Sequence, residues 1–487
     1  MSLEAQGPSI RLHLASLAQA RTGRQITTFS LLQNTASEGA LESLSMLSAS
    51  RAAAFGILLR VEQHGAYASE LLHAERYKKL SPPDHALCTE LVMGVLRWRS
   101  ALDAAIEEVA SQPLAKLDLE VLVALRLGAY QLGWLERVPA RAAIYESVEL
   151  VKKARKRSAA PFANAVLRKM AREATKLCPA IPSRATVSSL VAAYAHPEWL
   201  VERWIKHFGP EQVARICAYD QQVPLTAIRL RHAGAEEEMR QAGIELAPGA
   251  FLADARRVLI GEITHTAVFR EGRVAIQDEA SQLVGALVGR GQRLLDCCAA
   301  PGGKATILAE RNPGSQIIAA ELHPQRAYLL RRLVRAPNVQ VICADAEHLP
   351  VGGQFDRALA DVPCSGTGTL ARNPEIKWRL KPEDLADLHA RQVAIATAAI
   401  RSLASGGRLV YSTCSLEREE NQAVVEELQA SVSGVRVLNC RDELKRMQER
   451  GELVWRDLDA ITDGPFLRTL PGVHPCDGFF AAIFEKV

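Results

Sequence analysis

From about Gln277 onward the chain repeats one rhythm: a short apolar run, a turn of small or polar residues, then an amphipathic stretch. The apolar runs are 293–297, 316–321, 339–344, 356–361 and 408–413, and the amphipathic segments begin near Gly303, Pro324, Pro382 and Glu417. Runs of this length predict strands, and the longer segments between them predict helices. Strands joined by helical crossovers pair in parallel and are covered on both faces. The expectation for 277–487 is therefore an α/β domain with a mostly parallel sheet. Ligands of such sheets lie at the carboxyl ends of the strands.

The 487 residues exceed what one core usually serves, about 250–300 residues. A multidomain chain is expected, and the texture upstream supports it. From Ser48 to Thr175 apolar residues recur at three and four, as in 51–61 and 117–132, with breaks at Pro82-Pro83, Pro113 and Pro139. That period predicts an all-α bundle. Between Pro179 and Ile276 the pattern is mixed. A helix carrying Trp199 and Trp204, an alternating run at 224–231 and a helix from Ala235 to Ala242 predict a small α+β module. Residues 1–47 hold no sustained apolar period. Arg11, Arg21 and Arg24 give them a faint likeness to a transit peptide, but a disordered extension, or a start at Met46, is preferred. The expected boundaries are 1–47, 48–178, 179–276 and 277–487.

Net charge is only +4, from 59 Lys/Arg against 55 Asp/Glu. Its distribution is uneven: residues 137–176 hold 11 Lys/Arg and 3 Glu, a local +8 that leaves −4 for the remainder. Lys152, Lys153, Arg155, Lys156 and Arg157 concentrate it, with Arg168 and Lys169 following. Such a stretch on a near-neutral chain marks a polyanion footprint; the alternative is a solvated helix face. No run of about 18 uncharged apolar residues occurs, which argues against a membrane partner. The 10 cysteines show no C-x-x-C pair and no histidine at zinc spacing. Neither a metal nor a disulfide framework is expected, and the setting reads as reducing and cytoplasmic.

Two features at the strand ends carry chemistry. Cys298, Ala299, Ala300, Pro301, Gly302, Gly303 and Lys304 form a tight turn into a helix, and small residues there let backbone N–H groups approach a ligand. Ala305 follows Lys304, which argues against a P-loop. Glu321 closes the second run, where a carboxylate can accept both ribose hydroxyls. Asp345 follows the third run and could meet an adenine amino edge. Either acid alone is commonly a helix cap; together they outline a nucleoside-shaped pocket.

The fourth run ends in Asp361-Val362-Pro363-Cys364 and the fifth in Thr413-Cys414-Ser415. A thiolate adding to carbon 6 of a pyrimidine makes carbon 5 able to attack an electrophilic methyl group. The adduct must then lose its carbon 5 proton and expel the thiol, so one group for attack and another for release suit the chemistry. Asp361 could bond the N3/N4 edge of cytosine and assist protonation of the ring. Each cysteine alone could equally be a small filler at a strand end.

The pieces together resemble the RNA cytosine-C5 methyltransferases that use S-adenosylmethionine. The matching residues are Cys298 to Lys304, Asp361-x-Pro363-Cys364-Ser365-Gly366-x-Gly368, Pro374-x-x-Lys377-Trp378, Thr413-Cys414-Ser415, Glu419-Glu420-Asn421 and Asp477-Gly478-Phe479-Phe480. The resemblance implies a Rossmann-like class I methyltransferase domain, with Cys414 attacking, Cys364 aiding release and Asp361 also bordering the cofactor. Both cysteines together favour RNA over DNA. Residues 139–150 and 162–169 are similar to the NusB RNA-binding domain. That order of domains resembles the Sun/Fmu group of bacterial small-subunit ribosomal RNA cytosine-C5 methyltransferases. It implies 16S ribosomal RNA, met before the subunit is finished, as the partner of a monomer. Arg372, Lys377 and Trp378 are expected to clamp the strand near the flipped base, packing of Trp378 being the alternative. Glu321 stands where many relatives have Asp, but should still reach ribose. Transfer-RNA methylation and a non-catalytic assembly factor are the weaker readings.

Overall fold

The computed structural model describes residues 47–487 apart from Lys78, Gly353 and residues 173–178, 180 and 181. Of the extension expected over 1–47, residues 1–46 lie outside the described residues, as do Lys176 and Cys178.

The first part is helical. Helices Ala49–His64, Pro82–Arg97, Arg99–Val109, Ala140–Lys153 and Ala160–Arg172 surround Leu119–Trp134. This central helix is apolar around most of its circumference, and Val121, Val123 to Ala129 and Tyr130 are all buried. Gly128 lets a neighbour in: a Cβ there would stand 2.7 Å from the Leu167 methyls. Helix Ala160–Arg172 therefore crosses almost at backbone distance.

The stretch expected to be one α+β module is built as two pieces. Helices Val187–Tyr194, Glu198–Phe208 and Pro210–Asp220 bury Leu200, Trp204 and Ile216 in one cluster with Leu370, Ile376, Leu416 and Leu470 of the large sheet domain. Only the remainder forms a separate sheet, with strands β1 (Ala227–Leu230), β2 (Glu245–Pro248), β3 (Ala255–Ile260) and β4 (Val274–Ile276) in the order β2-β3-β1-β4. The two tryptophans marked a helix correctly, but a helix whose apolar face is completed by residues far along the chain gives no sign of it locally.

The large sheet contains β5 (Arg293–Asp296), β6 (Gln316–Glu321), β7 (Val339–Cys343), β8 (Phe355–Asp361), β9 (Leu403–Thr413), β10 (Val435–Leu438), β11 (Thr462–Asp463), β12 (Phe466–Thr469) and β13 (Phe479–Lys486). Its order is β11-β12-β13-β9-β8-β5-β6-β7, with β10 also paired to β13. Strands β5 to β9 are parallel. Strand β13 runs antiparallel to β9 and carries β10 and β12, so the sheet is mixed rather than uniformly parallel. The chain steps from β5 to β6 to β7, then returns to the other side of β5 to lay down β8. The strand order reverses between β5 and β8, the place where a crevice opens at the carboxyl ends of such a sheet. Among the described residues no helix is long and apolar enough to cross a membrane.

Candidate active site

The turn after β5 is pinned on both sides of the crevice. Cys297 donates its N–H to Leu359 O of β8 at 2.9 Å, and Ala299 donates to Ala320 O of β6 at 2.9 Å. Gly302 has φ +115°, and a Cβ there would lie 2.5 Å from Val334 Cγ2. Only glycine meets both demands. Helix Gly303–Arg311 starts directly behind it. Cys298 is inert as an acid: burial pushes its thiol well up.

Below this turn lies a group that sequence analysis did not single out. Asp296, the last residue of β5, is 1% exposed, and neither carboxylate oxygen accepts a well-formed hydrogen bond, the Cys298 backbone N–H giving only weak support. Burial first, then the nearby Asp361 carboxylate, pushes it up to about 7. A weakly partnered buried carboxylate beside a glycine cradle suits a ligand that brings N–H donors or positive charge. Glu321 is buried at the end of β6 and accepts the His323 N–H at 3.0 Å. Asp345 caps the turn Ala346–His348 by accepting the Glu347 N–H at 3.0 Å. Both acids do cap turns. They also stand side by side, since Ala344 donates its N–H to Glu321 O at 3.0 Å.

Across the crevice, β8 and β9 deliver their loops together because Asp361 pairs with Ser412 in register. The Asp361 carboxylate accepts the Ser412 hydroxyl at 2.8 Å through Oδ1 and the Lys304 ammonium at 2.7 Å through Oδ2. Burial alone would lower Lys304, but Asp361 more than offsets this and holds it charged, and the Cys414 sulfur lies within its field. Cys364 Sγ and Cys414 Sγ are 3.3 Å apart. The two sulfurs share a hydrogen bond in which either thiol can donate, and this contact, reinforced by burial, pushes the Cys364 thiol well above the usual thiol range. The arrangement therefore sets two sulfurs in direct contact at the mouth of the crevice.

Glu420 ties the two loops together from behind. It is fully buried and accepts the Ser365 N–H at 2.8 Å, the Gln392 amide at 2.8 Å and the hydroxyls of Ser365 and Ser415. Asn421 accepts from Thr413 Oγ1 at 2.6 Å and donates to Ser415 O at 2.9 Å. The Glu419-Glu420-Asn421 motif signalled a role for these residues without saying which. Gln392 carried no such signal.

The basic residues divide. Lys152, Lys153, Arg155, Arg157, Arg168 and Lys169 are exposed, while Lys156 is half-buried and paired with Asp118 at 3.1 Å. Helices Ala140–Lys153 and Ala160–Arg172 form a groove between them, lined by Arg141, Tyr145, Lys152, Asn164 and Arg168. Arg141 and Tyr145 were not anticipated; an exposed aromatic one helical turn from a cation is the pattern that marks them.

The expected clamp near the base is overturned. Lys377 is 2% exposed and donates to Arg97 O at 2.9 Å and Ala195 O at 3.0 Å. Burial brings its ammonium down to about 7, against the pull of the Asp220 carboxylate. The Trp378 indole donates to Leu96 O at 2.6 Å, so the packing alternative describes it. The Arg372 guanidinium is held by Asp477 at 2.9 Å and Asp278 at 3.3 Å. These three side chains bind protein, because the segment carrying them is wedged between the sheet domain and the helical part.

Residues 288–485 match the family model of the 16S rRNA methyltransferase RsmB/F, and residues 48–172 match that of the NusB family. The chain is 36% identical over 446 residues to the probable ribosomal RNA small subunit methyltransferase B of Bacillus subtilis, covering 88% of this chain and 97% of that protein. It is 33% identical over 449 residues to the ribosomal RNA small subunit methyltransferase B of Vibrio cholerae, covering 90% and 97%. The crystal structure of PH0851 shares the fold with a TM-score of 0.72 at 21% identity, covering 90% of this chain and 98% of that one.

Proposed function

Since the chain belongs to the ribosomal RNA small subunit methyltransferase B family, an rRNA methyltransferase family, we propose that it methylates carbon 5 of a cytosine in 16S rRNA through a covalent adduct on Cys414. The observation that carries this reading is the pair of sulfurs 3.3 Å apart at the end of β8 and β9. A single thiol would serve attack; a second one touching it suits release.

S-adenosylmethionine fits the β5 turn. The Gly302-Gly303 cradle, the weakly partnered Asp296 carboxylate and the adjacent acids Glu321 and Asp345 would hold its amino acid and nucleoside parts. When bound, it supplies an electrophilic methyl group. The chain's own groups do the rest. Cys414 adds to carbon 6, forming a carbon–sulfur bond that makes carbon 5 nucleophilic. Asp361, fixed by Lys304 and Ser412, faces the crevice where it can bond the N3/N4 edge of the ring. The Cys414 thiol proton would pass by way of Asp361 to the ring; methyl transfer to carbon 5 would leave S-adenosylhomocysteine, the carbon 5 proton would pass to solvent at the open crevice, and the electrons of that C–H bond would expel Cys414 as thiolate, with Cys364 beside it. The groove containing Arg141, Tyr145, Lys152 and Arg168 offers cations for RNA phosphates and a ring on which a base can stack.

Bisulfite sequencing of ribosomal and transfer RNA, from cells with and without the protein, identifies the RNA class and the base. With the purified chain, Cys414→Ala should abolish both methylation and adduct, whereas Cys364→Ala should accumulate a protein–RNA adduct. Loss of adduct in both variants would reject the assignment of roles.

A further inference from the structure

The segment that refutes the clamp has a use of its own. It begins at Cys364 and ends in the helical part, with ordered turns throughout. At its front, Gly368 donates its N–H to Cys414 O at 2.9 Å and accepts the Gly478 N–H at 2.8 Å. A Cβ on Gly368 would meet Gly478 O at 2.2 Å, so the fit there is tight. Thr367 Oγ1 accepts the Leu416 N–H at 2.9 Å. The front of the segment is thus keyed to the Cys414 loop.

At its rear, the segment finishes a helix. The last carbonyls of an α-helix have no partner within it, and cations there are favoured by the dipole. Helix Pro82–Arg97 ends with Leu96 O accepting the Trp378 indole and Arg97 O accepting the Lys377 ammonium. The Arg97 guanidinium reaches back to Ala371 O at 2.9 Å, and Glu375 accepts the Ala68 N–H at 2.9 Å. Between front and rear, Asn373 donates its N–H to Thr369 O, Ile376 to Asn373 O, and Leu380 to Ile376 O. A segment so packed transmits a displacement instead of absorbing it.

We propose that Lys377 and Trp378 are positioning residues that lock the end of helix Pro82–Arg97 to the Cys364 turn, so that the helical domain sets the register of Cys364 against Cys414 during release. The proposal rests on the covalent reading above. Its test uses the full chain with a target RNA fragment, S-adenosylmethionine, and variants Lys377→Met, Trp378→Phe and Cys364→Ala. The readout is the ratio of trapped adduct to released methylated RNA per folded molecule in a single turnover. Misplacing a reacting group by a fraction of an ångström costs roughly tenfold in rate. Lys377→Met should raise that ratio about tenfold and Trp378→Phe about threefold, with adduct formation and RNA affinity little changed. A purely structural role would lower attack and release together and leave the ratio alone, which overturns the proposal. If Lys377→Met fails to fold, Trp378→Phe, which keeps an aromatic ring while losing the indole N–H bond to Leu96 O and some bulk, decides the matter. If Cys364→Ala traps no adduct, the covalent reading itself has failed. If Cys364→Ala traps it while the other two partition like the parent, only the present proposal has.

Discussion

At the mouth of the large sheet the polar groups behind the two sulfurs are buried and have fixed partners: Glu420 bonds both loops, Asn421 the Cys414 loop and Gln392 the Cys364 loop. In the groove of the helical part, Arg141, Tyr145 and Arg168 are exposed, and Lys152 is paired with Glu149 at 2.7 Å. The sulfur site spends buried hydrogen bonds on geometry, whereas the groove presents charge on side chains free to move. Bond-making needs atoms held to a fraction of an ångström. Attraction of a polyanion needs only charge on roughly the right face. The two regions should therefore respond to substitution on different scales.

The largest effect is expected at Glu420. Replacing it by alanine leaves the Ser365 N–H without its acceptor and takes one acceptor from the Gln392 amide and from the Ser365 and Ser415 hydroxyls. Stranding buried donors costs about 1–3 kcal/mol each, partly recovered if water enters. Glu420→Ala should lower stability by about 3 kcal/mol, read from urea midpoints. It should also lower methylation about a hundredfold among molecules that remain folded. Retention of parental activity would show that the loops hold their register without it.

An intermediate effect belongs to Asp296, the exception within the ordered site because its carboxylate is buried without a well-formed hydrogen bond. Its folded value of about 7 stands above the ordinary 3.8, owing first to burial and then to Asp361. Between those values the folded protein binds the proton more tightly than the unfolded chain. The contribution to stability is thus complete below about pH 4 and lost as pH rises to about 7. Urea midpoints of Asp296→Asn should fall less between pH 4 and 7 than those of the parent. Equal slopes would mean that the carboxylate finds a partner in solution.

The same contrast explains what could be read from the sequence. The strand ends, the Gly302 turn and the two cysteine loops were legible because each is a local pattern with a local cause: an apolar run, a positive φ, a residue type at a strand terminus. The Gly302 φ of +115° is such a case. Lys377 was misread, and Trp378 was left between clamp and packing, because a lysine next to a tryptophan has the same local signature whether it faces RNA or caps a helix some 280 residues earlier. The partition of 179–276 was missed for a similar reason, since Trp204 meets Leu416 and Leu470 only in three dimensions. Strands β10 to β12 are too short, at 2 to 4 residues, to show a period. Asp296 was passed over as the end of a strand, and nothing in its neighbours announces that its carboxylate has no well-placed donor.

The smallest effect, and the sharpest check on the contrast, lies in the groove. If Lys152 and Arg168 meet RNA phosphates, each releases counterions when it binds. Removing one contact should then make the slope of log affinity against log salt shallower by about 0.7. Lys152→Gln and Arg168→Gln should each weaken RNA binding a few-fold near 0.15 M salt and less at higher salt, where exposed charges are screened. At saturating RNA the single-turnover rate should match the parent, because neither side chain approaches the sulfurs. An equal salt slope in parent and variants would remove these cations from the RNA face. A fall in the saturated rate comparable to that of Glu420→Ala would show that the groove shares in positioning the base, and the separation of charge from geometry would no longer hold.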